Sequence, residues 1–213
     1  MVLGDSCMYQ RTNARGSVMQ LTQGEKNYHY LLFVWNALHD KGLTTDKVPD
    51  LKERTTNYGL YKYAKFQTYT LPALNWINYS FYVSHSCMEY SFKTGTFTFK
   101  TSKIVPPFIS DYLSPLALAV WFMDDGYQAG NTFGISTQSY SLSDVNLLCK
   151  VLYDKYGIVA HSQRQRDKKQ LMLDGSLCHV TQYIIYINTM SASRFSDIIK
   201  PYIVPSMLYK LGL

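Results

Sequence analysis

An apolar run, Leu116 to Met123, ends in two carboxylates and a glycine, Asp124-Asp125-Gly126. Apolar throughout, it reads as a helix buried on most sides rather than a surface helix with one apolar stripe. Ala117 and Ala119 are small enough to let a second helix approach closely. Carboxylates at a helix C-terminus meet the negative pole of the macrodipole, a cost that a bound cation relieves. A core helix ending in a solvated Asp-Asp-Gly turn fits the same residues. Met1-Val2-Leu3-Gly4-Asp5 reads as the end of an equivalent helix. If the two helices pack side by side, Asp5 and Asp125 meet at one end and repel unless they share divalent cations. A two-metal phosphodiesterase needs that arrangement: the metals polarise the phosphate, generate hydroxide and stabilise the leaving oxygen.

Other chemistries find no comparable support. Cys7, Cys87, Cys149 and Cys178 form no C-x-x-C pair and fit no zinc module, so they read as free thiols of a reducing compartment. The histidines (His29, His39, His85, His161, His179) are scattered, without a partner at metal-ligand spacing. There is no G-x-S-x-G and no Walker-type glycine loop. The longest apolar run falls far short of the about 20 residues that span a bilayer. Met1 to Gln10 carries Asp5 and no early Lys or Arg, unlike a secretory or transit signal. No membrane partner is expected.

The elements that must position the carboxylates echo each other. Met19 to Gln23 is a short alternating strand ending in Thr-Gln, followed by a helix over Glu25 to Lys41 that Gly42 stops. Gly134 to Gln138 ends the same way and precedes a helix over Ser143 to Tyr156, capped by Ser141 or Ser143 and stopped by Gly157. Ile104-Val105-Pro106 is matched by Ile203-Val204-Pro205. Further strands are expected at Cys7 to Arg11, within Lys52 to Thr70 (turning near Asn57-Tyr58-Gly59), at Tyr127 to Thr137, Ile158 to Arg166 and Thr181 to Asn188. A long polar connection runs from Asp167 to His179. Helices are expected over Leu71 to Val83, Ser110 to Asp124 and Ser191 to Lys200, with Pro201 and Pro205 breaking the tail. The pattern is α+β, with halves 1–109 and 110–213 each reading helix, two strands, helix, two strands, helix.

The chain has 213 residues, enough for one ordinary domain or two small ones. Charged residues are only 17%, yet 21 Lys+Arg oppose 15 Asp+Glu for a net charge of +6. Aromatics reach 15%, 19 of them tyrosines, and this excludes the charge-rich, aromatic-poor composition of disorder. A basic balance favours anionic partners without naming one.

Leu118 to Gly126 resembles the LAGLIDADG motif in a variant ending Trp-Phe-Met-Asp-Asp-Gly, and Leu3-Gly4-Asp5 resembles the end of a first copy. Thr137-Gln138-Ser139, Ser102 to Pro106 and the tail Lys200 to Leu211 extend the similarity over nearly the whole chain. The resemblance is to the single-chain, two-motif homing endonucleases encoded in group I introns. It implies two pseudo-symmetric αββαββα halves, motif helices at their interface, and antiparallel sheets that saddle the DNA major groove. The first motif of this pattern begins several residues before Met1, so the resemblance implies either an upstream in-frame segment or a degenerate remnant.

Carried over to this sequence, the resemblance makes Asp5 and Asp125 the ligands of Mg²⁺ (or Mn²⁺), with carbonyls of Gly4 and Asp124 beside them. It puts Lys103 and Lys210 near the reacting phosphate, and Gln23 and Gln138 at the sheet ends near the cleavage centre, where they organise water or contact bases. A β-ribbon in the major groove presents alternate side chains to the bases. Candidates are Gln10, Arg11, Arg15 and Gln20 in the first half, and Gln128, Ser136, Gln163, Arg164 and Arg166 in the second. Arg164 and Arg166 share one strand face, Gln163 and Gln165 the other, and only one set can face DNA. Lys168 and Lys169 read as phosphate contacts. Tyr61 and Tyr63 read as core or groove-facing residues, with the core preferred. The implied protein is a monomeric, metal-dependent endonuclease acting on a long pseudo-symmetric duplex. The alternatives are an RNA maturase binding its own intron and an inactive DNA-binding remnant. Synthesis inside an organelle fits the absent targeting segment, with the mitochondrion expected over the chloroplast.

Overall fold

The computed structural model describes residues 2–11, 15–56, 59–91, 96–165, 167–171 and 177–213, with side chains described except at 56, 84–91, 96–100, 168–171 and 177–180. In chain order the first elements are β1 (Cys7–Gln10), β2 (Ser17–Gly24), α1 (Tyr28–His39), β3 (Lys52–Thr56), β4 (Gly59–Gln67), α2 (Asn75–Phe81), β5 (Tyr82–Ser91) and β6 (Thr96–Lys103). Then come α3 (Ile109–Tyr112), α4 (Pro115–Asp125), β7 (Gly126–Ala129), β8 (Thr132–Ile135), α5 (Leu142–Tyr156), β9 (Ala160–Arg164), β10 (Lys168–Leu171), β11 (Leu177–Val180), β12 (Tyr183–Ile187) and α6 (Ala192–Ile199). No helix among the described residues is long and apolar enough to cross a membrane.

Two compact units form, each assembled from separate stretches of chain. One comprises Met1–Asn78, Pro115–Asp124 and Ile199–Leu213, the other Tyr79–Ser114 and Asp125–Ile198. In the first unit an antiparallel sheet runs in the order β1-β2-β4-β3. Its parity follows from burial: Met8 opposes Met19, Leu21 opposes Phe66, and Gln23 opposes Ala64, all buried on one face. Tyr30, Leu31, Val34 and Trp35 of α1 are buried in the same unit, as is every residue of α4 from Leu118 to Met123. The other face carries Gln20, Thr22, Lys65 and Gln67, whose polar side chains stay accessible to water.

The second unit holds an antiparallel sheet in the order β7-β8-β12-β9 and two ribbons, β5-β6 and β10-β11. Ile135, Ile185 and Ile187 are fully buried on the face that Phe133 shares, and Phe133 lies 5.5 Å from Phe195 of α6, ring to ring. Helix α5 is well delimited. Ser141 accepts from the Asp144 N–H while Asp144 reaches back to the Ser141 N–H, and Gly157 ends the helix at φ +62°.

Several boundaries differ from the sequence expectation. The first helix is an α-helix only from Tyr28, preceded by one tight turn at Glu25–Asn27. The expected helix at 71–83 is a turn at Pro72–Leu74 followed by α2, and the chain becomes strand at Tyr82. The expected helix at 110–124 is two helices, because Pro115 starts its own and disfavours helical backbone at Ser114. The ribbon β5-β6 escapes the sequence reading, although Thr96-Phe97-Thr98-Phe99 alternates with strand period. The long polar connection contains the ribbon β10-β11. The turn at Asn57-Tyr58 lies outside the described residues.

Candidate active site and nucleic-acid interface

The end of α4 is anchored within the first unit. Lys210 donates its ammonium to the carbonyls of Met123 (2.6 Å) and Asp124 (3.1 Å). A cation there satisfies carbonyls that the helix leaves open and complements the negative pole. The relief that sequence reasoning assigned to a bound ion is therefore supplied in part by a lysine. The tail that carries Lys210 is fixed by buried Met207 and Leu211 and by Lys26, whose ammonium lies 4.4 Å from the centre of the Tyr209 ring.

Asp124 is a positioned side chain rather than a loose terminator. The fully buried Tyr30 donates its hydroxyl to Asp124 Oδ1 at 2.5 Å. Burial pushes the carboxyl above the usual aspartate range, and the charge of Asp5 pushes the same way, against the Tyr30 hydrogen bond. Gly4 abuts the same carboxylate: a Cβ at position 4 would stand 2.3 Å from Asp124 Oδ2. Glycine is needed here for close approach.

Asp5 itself is exposed and held from one side. Gln23, only 6% exposed at the end of β2, donates its Nε2 to Asp5 Oδ2 at 2.6 Å. Asn27 donates to Gln23 Oε1 at 3.0 Å, which fixes the amide so that its NH₂ faces the carboxylate. The chain Asn27–Gln23–Asp5 thus presents a carboxylate to solvent from a buried support.

In the second unit the Asp125 carbonyl accepts from the Ser136 N–H at 2.9 Å. Burial raises the Tyr140 hydroxyl pKa, and the Asp125 charge adds to the rise. Gln138 is exposed, with its carbonyl accepting from Gln182, so the two Thr-Gln elements do not place their glutamines alike. Lys103 ends β6 opposite Tyr82 and is half-buried.

The open face of the first sheet is cationic. Arg54 opposes Tyr61 and Lys52 opposes Tyr63, which puts all four on the face of Lys65 and Gln67. The carboxylates lie on the other parity: Glu53 opposes Lys62, and Lys62 lies 3.7 Å from Glu53 and 3.8 Å from Glu25. Arg11 donates to Gln67 (3.0 Å), which donates to Tyr9 (2.8 Å) and Gln20 (2.9 Å), a network that orders one end of the face. Tyr61 and Tyr63 are stacked there at 6.1 Å, not in the core. Ala64 and Phe66 take the buried parity, and Tyr61 is 50% exposed.

The second sheet's open face carries Tyr127, Tyr186, His161 and Gln163. Tyr127 and Tyr186 oppose Gly134, Tyr186 opposes His161, and a Cβ on Gly134 would strike the Tyr127 ring. Gln163 shares this face, whereas Arg164 has the parity of the core side and forks onto Asp167 at 3.0 and 3.1 Å.

Of the other candidates, Gln10 has the parity of Met8 and reaches Asn75 of α2 (3.4 Å). Arg15 is exposed, its carbonyl bonded by Asn75. Gln128 is exposed and bonds its own turn at Gly130. Ser136 is half-buried beside Asp125. Lys168 and Lys169 lie on β10, opposite Val180 and His179, their side chains outside the described residues, as is all of Arg166. Sequence reading missed Tyr30, Asn27, Lys52, Arg54, Lys65 and Gln67. Strand parity against Ala64 and Phe66 marks Lys65 and Gln67, but nothing local marks Tyr30. Cys7 and Cys149 are free thiols, and burial pushes the Cys149 thiol up to about 11.

Known proteins of similar sequence and fold place the chain in a family. Residues 1–195 match the model of the LAGLIDADG DNA endonuclease family. Over 99% of its length the chain is 31% identical to cytochrome b mRNA maturase bI2 of Saccharomyces cerevisiae and 32% identical to cytochrome b mRNA maturase bI2 of Debaryomyces hansenii. It spans 45% of the first relative and 70% of the second. The fold is similar to that of the homing endonuclease I-WcaI bound to its DNA recognition sequence, with a TM-score of 0.69 at 23% identity, over 99% of this chain and 81% of that one. With motif carboxylates at the end of a buried helix, a mixed helix and antiparallel-sheet fold and a family match over most of its length, this chain belongs to the LAGLIDADG DNA endonuclease family.

Proposed function

We propose that this protein is a site-specific, metal-dependent endonuclease acting on duplex DNA, with Asp5 and Asp125 as its metal-holding carboxylates. The observation that carries the reading is Asp5: an exposed carboxylate supported by Gln23 and Asn27, in the same unit as an open sheet face whose charges are Arg11, Lys52, Arg54 and Lys65. An antiparallel sheet face of this sign suits the major groove, with cations on phosphates and Gln20 and Gln67 toward base edges.

The donor chemistry fits a hard divalent cation. Among the described residues no group of three or more His, Cys, Asp or Glu is assembled. Mg²⁺ does not need one, since it is commonly held by one or two carboxylates and completes its shell with water and substrate phosphate. Asp5 and Asp125 would each hold a cation, while the Asp124 carbonyl is taken up by Lys210. When bound, the metal polarises the phosphate and lowers the pKa of its water. The chain's own residues do the rest. Gln23 holds Asp5 aimed at solvent, Asn27 keeps Gln23 from turning over, Lys210 fixes the backbone at the end of α4, and Tyr30 and Gly4 fix the Asp124 side chain beside it. Halves 1–109 and 110–213 are the repeat units of this proposal, the working form is a monomer, and the compartment is the mitochondrion, in keeping with the two cytochrome b maturases it resembles.

A second reading, a maturase acting on its own intron RNA, is favoured by those same two relatives, which match over 99% of the chain. Assays of duplex cleavage and intron splicing on Asp125→Asn separate the two. Loss of cleavage with splicing retained assigns both activities to the protein. Unchanged cleavage by a folded Asp125→Asn contradicts the metal assignment.

A further inference from the structure

The first unit contains a half-open pocket of about 460 Å³ at the edge of the sheet face, which shares Arg11, Lys52, Lys65 and Gln67 with that face and adds Lys47, Asp50 and Tyr69 beyond it. Strand β3 begins at Lys52, opposite Tyr63, so among the described residues no strand pairs with Lys65 and Gln67 on the edge away from β2. The segment 45–50 forms the opposite wall, tied back where the Tyr69 N–H donates to the Leu43 carbonyl at 2.8 Å.

The lining has two chemistries. Trp35 closes one side, held by stacking on His39 with ring centroids 4.8 Å apart, and Tyr69 is 45% exposed. Around them stand Arg11, Lys47, Lys52 and Lys65 against a single lining carboxylate, Asp50, which lies 3.3 Å from Lys47. The size is that of a small-molecule site. A base inside a stacked pair has no free face to lay on a side chain, whereas an unpaired base has, and an exposed aromatic ring with flanking cations is what single-stranded nucleic acid selects.

We propose that this pocket binds one unpaired nucleotide of a single-stranded polynucleotide, with the base stacked on Tyr69 and its flanking phosphates on Lys47, Lys52 and Lys65. The proposal deepens the nucleic-acid reading above but requires neither metal nor cleavage. Unpaired nucleotides come from RNA or from locally opened DNA, and the same chemistry serves both.

The test is anisotropy of fluorescein-labelled hexamers, rU₆ and dT₆, titrated with the full chain in EDTA. The wild type should bind at least one of them, and a preference for rU₆ identifies RNA as the source. The exposed double variant Lys47→Ala, Tyr69→Ala should weaken that binding at least about fivefold while melting like wild type, since stacking loss alone gives that much per base. Its affinity for duplex DNA should be unchanged. A 4-thiouridine hexamer should crosslink to peptides covering 45–50 or Tyr69. Failure of both hexamers to bind, equal binding by the folded variant, or crosslinks confined to other peptides overturns the proposal. Failure of duplex cleavage alone leaves it standing.

Discussion

Asp124 is half-buried beside Tyr30 and Gly4, and each contact gives a measurable consequence. Gly4→Ala forces a Cβ onto the carboxylate and should cost about 1–3 kcal/mol in chemical denaturation. Combined with Asp124→Gly, the loss should fall below the sum of the two single changes, because the clash partner is gone. The pH dependence has a definite sign. Asp124 has a folded-state pKa raised above its unfolded value, so the folded state binds more protons in the window that opens at the usual aspartate value and runs upward. Wild-type stability should therefore fall relative to Asp124→Asn as pH rises through that window, then level off, as thermal melts across acidic to neutral pH will show. The Asp5–Gln23 pair was legible as far as its two members, because the motif end and the Thr-Gln element stand in the sequence. Their bond was not, and Tyr30 was not, because it sits 94 residues from its partner and looks like any core tyrosine of α1.

At the scale of elements, α4 depends on its C-terminal cap. Lys210→Met removes an ammonium from two helix carbonyls and should destabilise the protein by about 1–3 kcal/mol in urea titration, with Lys210→Arg recovering part of the loss. The sheet face makes a different prediction. Arg54→Ala and Lys65→Ala should weaken DNA binding nearly uniformly across sequences, and each should lower the salt slope by about one. Gln20→Ala should instead relax preference at one base position. Strand positions were readable wherever apolar and polar residues alternate, and for the same reason parity on β4 gives the open face once Ala64 and Phe66 are known to be buried. The helix breaks at Ser114 and Tyr82 were harder. The first is marked only by Pro115, whose effect on Ser114 is local, whereas at Tyr82 helical and strand periods coincide over a few residues and packing decides.

At the scale of the whole molecule, each compact unit draws on both halves of the sequence: α4 up to Asp124 and the tail from Ile199 join the first, while Asp125 begins a stretch of the second. No reading of local pattern yields that division, since it is set by contacts between residues far apart in the chain. The net charge of +6 acquires a direction, with cations on the open sheet face and Glu53 of the same sheet paired with Lys62 on its other side. Resemblance to proteins named as maturases and to a DNA-bound homing endonuclease leaves the reaction to be decided by Asp5. The direct measurement is cleavage of duplex DNA spanning the intron-free junction of the host gene, in Mg²⁺, by wild type, Asp5→Asn and Gln23→Leu, with duplex affinity measured alongside. Cleavage is expected from the wild type, none detectable from Asp5→Asn, and about 10–100-fold less from Gln23→Leu, with duplex affinity unchanged in both variants. Cleavage by Asp5→Asn at the wild-type rate would contradict the role given to Asp5.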